Sequence, residues 1–424
     1  MAQNNTVIIG AGIIGCSTAY YLSQSTNTAA QSIHLVEASE ELFKCASGFA
    51  GGFLAKDWFA PVVAPLGALS FQLHRELAEK SNGRERWGYS STITSSLSRD
   101  SEEAVDGSGE DWLRDGTSRA NTAAADSSIS GESQDQLPPW LTTSQEDTVE
   151  VISSKETTAQ VDPLQLSKFL LDECLAAGVH LHHPARAISI SKDTRDDTLA
   201  SIRIHDAING VESNIPCTRL VLTAGAWTPA VFKTLFPAST YSPPISALAG
   251  HSLLLKSPRW TPTTQSRRTQ ACHALFAPDD AAAGFAPEIF ARRAGELYIA
   301  GLNSSSLPLP DRASDAVPQP ASIDQLKKVA ELLLGHPEAR ESDLRVIRES
   351  VCFRPVAAGG RPLVGRVDDG RLGGVRTRGG GQGGVFVAAG HGAWGISQCL
   401  GTGKVVGEMV EGRETSVDVG GLGI

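Results

Sequence analysis

Basic charge is in short supply. Lys and Arg number 37 against 47 Asp and Glu, a net charge of −10. That balance argues against a surface built to hold nucleic acid or an anionic membrane. Paired cysteines are lacking as well. Cys16, Cys45, Cys174, Cys217, Cys272, Cys352 and Cys399 are scattered without a Cys-x-x-Cys pair. Such a pattern reads as reduced thiols in an intracellular protein, and no metal site is expected. No apolar run approaches the roughly eighteen residues that a membrane span needs. The residues before Thr6 carry no basic segment, apolar stretch or cleavage site. The last three are Leu422-Gly423-Ile424, not Ser-Lys-Leu. A soluble, cytoplasmic protein is the expectation.

What is present suits a globular protein with ample material for a buried core. Hydrophobic residues make up 41% and charged ones 20% of 424 residues. A single core rarely exceeds roughly 250–300 residues, so two lobes are predicted. The acidity is local, because thirteen acidic and three basic residues fall between Ser98 and Glu150 and leave the remainder neutral. Ser98–Gln136 is poor in apolar residues and rich in Ser, Asp, Glu, Gly and Ala. It reads as a mobile, disordered excursion, with a partner-binding segment as the alternative.

The most informative local pattern opens the chain. Thr6 to Ile9 is a short apolar strand, and Gly10-Ala11-Gly12-Ile13-Ile14-Gly15 leads from it into a helix through Ala19, Tyr20 and Leu22. Ile33 to Glu37 is the next strand, which completes a β-α-β unit. Glycines at this spacing allow a tight turn, close backbone approach to a pyrophosphate, and helix–strand packing. Glu37, with Ala38 after it, ends the second strand where a carboxylate takes ribose hydroxyls. Dinucleotide binding is predicted, with NAD and FAD both open at this point.

Further elements follow in order. A helix is predicted over Pro65–Lys80, and Val161-Asp162-Pro163 opens another that ends at Gly178. A hairpin-like stretch takes in Ala187–Ile190 and Ser201–His205. Strands are predicted at Leu220–Leu222, Gly250–Leu255 and Leu297–Ala300, and a helix at Ile323–Leu334. Gly379–Gly384 has the look of a phosphate loop but lacks Lys-Ser/Thr and runs into a strand, so a floppy hairpin is expected. A closing helix should reach Val410.

Six blocks occur in a fixed order: the Gly10–Gly15 turn; Ser47-Gly48-Phe49-Ala50-Gly51-Gly52; Val161-Asp162-Pro163; Ala224-Gly225-Ala226-Trp227; Arg354-Pro355 with Gly360-Arg361-Pro362-Leu363; and Gly390-His391-Gly392. Together they resemble the FAD-dependent oxidoreductases of the D-amino-acid oxidase superfamily, which includes glycine, sarcosine and fructosyl-amine oxidases. The stretches from Cys45 to Ala55 and from Gly390 to Ile396 are similar to a eukaryotic, largely fungal, branch of oxidoreductases. The likeness spans nearly the whole chain except Ser98–Gln136.

The resemblance implies an α/β fold: a Rossmann-like FAD-binding domain and a second, α+β substrate domain built on a mixed sheet. Residues 1–60, 155–243 and 350–412 would form the discontinuous FAD-binding domain. Residues 61–97, 137–154 and 244–349 would form the substrate domain, with 98–136 an acidic insertion and 413–424 a tail. Gly10, Gly12, Ile13, Ile14 and Gly15 would hold the pyrophosphate. Ser47, Gly48, Ala50, Gly51, Gly52 and Phe53 would run beside the isoalloxazine. Ala187 would meet adenine, while Ala224, Gly225 and Trp227 would close the cleft. Gly390, His391 and Gly392, then Ala393, Trp394, Gly395 and Ile396, would bring amides to the flavin pyrimidine oxygen, where a helix N-terminus stabilises negative charge.

On the substrate side, Arg354 would clamp a carboxylate, the alternative being a structural arginine. Cys352 falls where sarcosine and fructosyl-amine oxidases carry a flavin-bonded cysteine, the preferred reading being a small buried thiol. His391 would be a base, a positive charge near reduced flavin, or an anchor for the glycine turn. Lys56, Asp57, Trp58 and Trp394 are candidates for the pocket lining, but a surface lysine and core tryptophans are the preferred readings; His251 is undecided. The lysine that sarcosine oxidases use with oxygen has no counterpart in Gly301-Leu302-Asn303. The expected activity is oxidation of the C–N bond of a small amine or amino acid by hydride transfer to flavin N5. A dehydrogenase with another acceptor and a low-turnover flavoprotein scaffold are the alternatives. Oligomeric state is not legible.

Overall fold

A computed structural model describes residues 5–99, 119, 137–144, 147–261, 271–277, 284–339 and 341–424. Apart from Ser98, Arg99 and Arg119, the excursion expected at Ser98–Gln136 lies outside the described residues.

The chain builds two main sheets. The first has six strands in the order Leu363–Arg366, Gly384–Ala389, Arg219–Leu222, Thr6–Ile9, Ile33–Val36 and His180–His182. All pairs are parallel except the first, which is antiparallel. A parallel sheet covered on both faces reads as unbroken apolar runs, and these strands do. Alternation still assigns the faces. Ile8, Leu35, Val221 and Phe386 enter one core, while Val7, Val36, Leu222 and Val387 enter the other.

Three helices pack together on the first of these faces: Ile13–Ser23, Pro163–Ala177 and Gly395–Val410. The predicted start at Val161-Asp162-Pro163 has a physical basis, since the Asp162 side chain accepts the Leu164 and Gln165 N–H groups. Gly178, at φ +98°, ends that helix. Gly403 lies so close to Ser17 that a Cβ would sit 2.5 Å from the Ser17 carbonyl carbon. This glycine lets the last helix approach the first closely.

The second sheet has ten strands and mixed direction. Its main path runs Asn303–Ser304, Ile245–Lys256, Leu297–Ala300, Glu288–Ala291, Cys272–Phe276, Ser90–Arg99, Thr158–Gln160 and Phe53–Ala55. Arg345–Ala357 pairs with Ile245–Lys256, and Asp147–Ser153 with Ser90–Arg99. Cys272–Phe276 lies parallel to Ser90–Arg99, and the other pairs are antiparallel. The helix Pro320–Leu334 packs against this sheet.

Three details add to the sequence reading. The strands Phe53–Ala55, Thr158–Gln160 and Arg345–Ala357 fall wholly or partly in segments assigned to the nucleotide side, yet they pair into the ten-stranded sheet. The loop after Cys45 contains a turn of helix at Ala46–Phe49. The tail is docked, with Val419 and Leu422 buried in the main core. Among the described residues, no helix is long and apolar enough to cross a membrane.

Candidate functional site

The site begins where the strand Thr6–Ile9 stops. Gly10 has φ +104°, and a Cβ there would lie 2.7 Å from the Thr223 carbonyl oxygen. A side chain on Gly15 would overlap the Gly10 carbonyl oxygen, so this glycine sets the helix–strand contact. Ser47 Oγ accepts the Ile13 N–H at 2.9 Å and thereby ties the turn to the loop after the second strand. Glu37 accepts the Ala11 N–H at 2.9 Å and the Ser39 N–H at 2.8 Å. Its carboxylate oxygens still have acceptor capacity for ribose hydroxyls.

One continuous cavity of about 410 Å³ extends from this turn to the ten-stranded sheet. Gly10, Gly12, Ile13, Ile14, Glu37 and Ala38 line its nucleotide end. Ser47, Ala50, Gly51, Gly52 and Phe53 continue the wall, and Ala187, Ala224, Gly225 and Trp227 also border it. Cys352, Arg354, His391 and Gly392 open into the same space, followed by Ala393, Gly395 and Ile396. A turn free of side chains at Gly10 and Gly12, the start of a helix, and a carboxylate at the second strand end together fit a dinucleotide.

Four expected residues act from behind the wall. Gly15 serves the packing just described, and a Cβ on Gly48 would overlap the Phe43 carbonyl. Gly390 takes φ +84°, with its Cβ position 2.8 Å from the Ala357 methyl. Trp394 turns its ring onto Phe59, at 4.9 Å between centroids. Lys56, Asp57 and Trp58 do not line the cavity either. The first two are exposed, and Trp58 is buried with its indole N–H donated to Ser153 Oγ at 2.9 Å. Gly379–Gly384 lies away from the cavity and forms a turn closed by Gln382 N–H to the Gly379 carbonyl at 3.1 Å.

Arg354 is held in place on the cavity wall. It lies two residues from Cys352 on one strand, so both side chains share a face. The neighbouring strand carries Gly250 opposite Cys352, and any side chain at Gly250 would overlap the guanidinium. Arg354 Nη1 donates to Asn303 Oδ1, which fixes the fork while leaving other donors toward the cavity. His251 packs behind as structure, its Nε2 accepting the Gln319 N–H at 3.1 Å.

Burial pushes the Cys352 thiol above its usual range, partly opposed by Arg354 and Arg348. His391 sits 3.0 Å from Thr402 Oγ1, and burial pushes its pKa down to about 4. Its ring is therefore neutral near pH 7 in the protein alone. Buried His74 and His273 are also pushed down to about 4. In the unfolded chain each of the three takes a proton near about pH 6.5. The unfolded state thus binds more protons between the two values. Stability is complete above the upper one and falls as pH drops, by up to about 4 kcal/mol per pH unit for three groups. Urea midpoints at neutral and mildly acid pH check this, and equal midpoints would contradict it.

Sequence reasoning missed the opposite wall. Glu288, Phe290 and Tyr298 line the cavity from neighbouring strands. A glutamate within the otherwise apolar Glu288-Ile289-Phe290-Ala291 was the available signal. Arg119 also lines the cavity and is 4% exposed, with Nη2 donating to Glu288 Oε2 at 2.6 Å. No local pattern in the acidic stretch around Arg119 announces that role.

The chain is similar to several known proteins. A provisionally named oxidoreductase of Schizosaccharomyces pombe is 27% identical, covering 98% of this chain and 97% of its own. Another, of Saccharomyces cerevisiae, is 24% identical over 99% of this chain and 94% of its own. Among solved structures, glycine oxidase from Geobacillus kaustophilus superposes with a TM-score of 0.69 at 20% identity, covering 100% of this chain and 98% of its own. L-Amino acid deaminase from Proteus myxofaciens gives 0.70 at 14% identity, with 100% and 93% covered. These two likenesses show the fold. The FAD dependent oxidoreductase family, DAO, matches residues 5–409, and the chain belongs to it.

Proposed function

We propose that the protein oxidises the C–N bond of an amino acid or carboxylated amine. The observation that carries this reading is the shared cavity, which places the Arg354 guanidinium and the His391–Ile396 turn in one space with the glycine turn. Bound FAD supplies a two-electron acceptor at N5 for the hydride leaving the carbon next to nitrogen. Hydride loss from the neutral amine leaves an iminium ion, which takes up water and releases a carbonyl compound, ammonia or an amine, and a proton.

The chain contributes orientation and electrostatics. Arg354 receives the carboxylate through two parallel N–H donors, with Asn303 holding its plane. Phe290 and Tyr298 wall the cavity with aromatic surface and limit water. Gly395 begins a helix of 16 residues whose N-terminus opens on the cavity and favours negative charge there. His391, neutral and tied to Thr402, positions the preceding turn rather than supplying charge.

Cys352 is the residue through which a covalent flavin bond would form. Its buried, protonated state disfavours the thiolate that such a bond requires, so we read the flavin as held without a covalent link. Acid precipitation should leave a colourless pellet and a yellow supernatant. A yellow pellet that becomes colourless in Cys352→Ala would establish the thioether instead. A protein that shows no flavin band and takes up none on reconstitution would overturn the proposed function.

A further inference from the structure

At the substrate end of the cavity, the charged groups among the described residues of its wall are Arg354, Arg119 and Glu288. Glu288 stands on the strand Glu288–Ala291 and pairs with Arg119 at 2.6 Å, with side chains 11% and 4% exposed. The guanidinium carbon also lies within a set of rings. Trp394 is 4.7 Å away, Phe276 5.2 Å, Phe53 5.5 Å and Phe290 5.7 Å. A planar cation over several π faces, closed by a carboxylate, is held in one geometry. Four elements distant in sequence supply this cage, and its occupant comes from a fifth stretch. The arrangement is therefore specific.

Two charges that cancel inside a poorly solvated wall leave Arg354 as the net charge among the described residues that line this end. Arg354 is reserved for the carboxylate on the reading above. A substrate's side chain then meets a neutral wall, where an extra charge of either sign loses water without gaining a partner. We propose that the Arg119–Glu288 pair sets the charge preference of the site, selecting amino acids or amines whose remaining substituent is uncharged. This rests on the proposed carboxylate subsite and assigns it a substrate class.

The test uses flavin-loaded protein and three simple carboxylates: propionate, succinate and β-alanine. Their second ends are neutral, anionic and cationic. Binding is read from perturbation of the flavin band, without turnover. The wild-type protein should bind propionate more tightly than either of the others. Glu288→Gln leaves two guanidiniums and should improve succinate relative to propionate by at least about tenfold. Arg119→Met leaves the carboxylate and should improve β-alanine relative to propionate by a similar factor. The double variant should restore the wild-type ranking, and Arg119→Lys should keep it. A wild-type preference for either charged ligand would overturn the proposal. So would ratios unchanged across flavin-retaining single variants.

If a single variant loses its flavin, the wild-type ranking and the other variants still decide the matter. Carboxylate ranking as expected, with no amine or amino acid turned over, would sink the proposed activity and leave the pair's role standing. Turnover with no charge preference would do the reverse.

Discussion

Replacing Arg354 by alanine should lower kcat/KM for a free amino acid by about a thousandfold while leaving flavin bound. The guanidinium is half-buried on the cavity wall, beside a glycine that leaves room for it and an asparagine that fixes its fork. A carboxylate brought there without it would give up water for no charged partner, and the carbon to be oxidised would lose its alignment. Arg354→Lys keeps the charge but loses the paired donors, so it should fall between wild type and alanine. The same substitution should scarcely affect an amine that lacks a carboxylate, which separates clamp loss from general damage. Unchanged turnover of amino acids in Arg354→Ala would remove the clamp assignment.

The second large effect is at Gly15. An alanine methyl there would overlap the Gly10 carbonyl oxygen and come 2.8 Å from Thr223 Oγ1. Thr223 is itself tied to the Gly10 carbonyl at 2.8 Å, so the turn has little room to yield. Gly15→Ala should cost about 3 kcal/mol or more of stability and purify without flavin. Gly12→Ala is the informative contrast. Its methyl would meet only Ser47 Oγ, at 3.0 Å, but would project where the wall must approach a pyrophosphate. That variant should fold with a near-normal melting temperature and still bind flavin poorly. Thermal unfolding with flavin content measured alongside distinguishes the two. Gly15→Ala with full flavin and an unshifted melting temperature would contradict the packing account.

The nucleotide half of this site was legible because its chemistry is local. Gly10 to Gly15 and Glu37 fall within a single β-α-β unit, where spacing alone dictates the turn, the helix start and the carboxylate. Asp162 and Gly178 were readable for the same reason, since cap and stop belong to the helix they bound. The substrate half is assembled across strands from distant segments. Gly250 makes room for Arg354 only because Ile245–Lys256 pairs with Arg345–Ala357 in one particular register. Nothing near Gly250 in the sequence predicts that.

Trp58 sits in the core, the reading preferred over the pocket, and a long-range partner decides it. It follows the flavin-side loop but rotates into the core, because its indole N–H finds Ser153 on another strand. Arg119 is the extreme case. Composition around it argues for solvent, yet its partners are a buried carboxylate and four aromatic rings. Long-range pairing of this kind leaves no periodic trace.

Anaerobic mixing of the flavin-loaded protein with a panel of amino acids and amines tests the central claim most directly. The flavin's visible band should bleach with at least one uncharged amino acid or carboxylated amine, and the product should be the matching carbonyl compound with ammonia or an amine released. An intact visible band across the whole panel, in a protein whose flavin is readily reduced by dithionite, would contradict C–N oxidation as the function of this site.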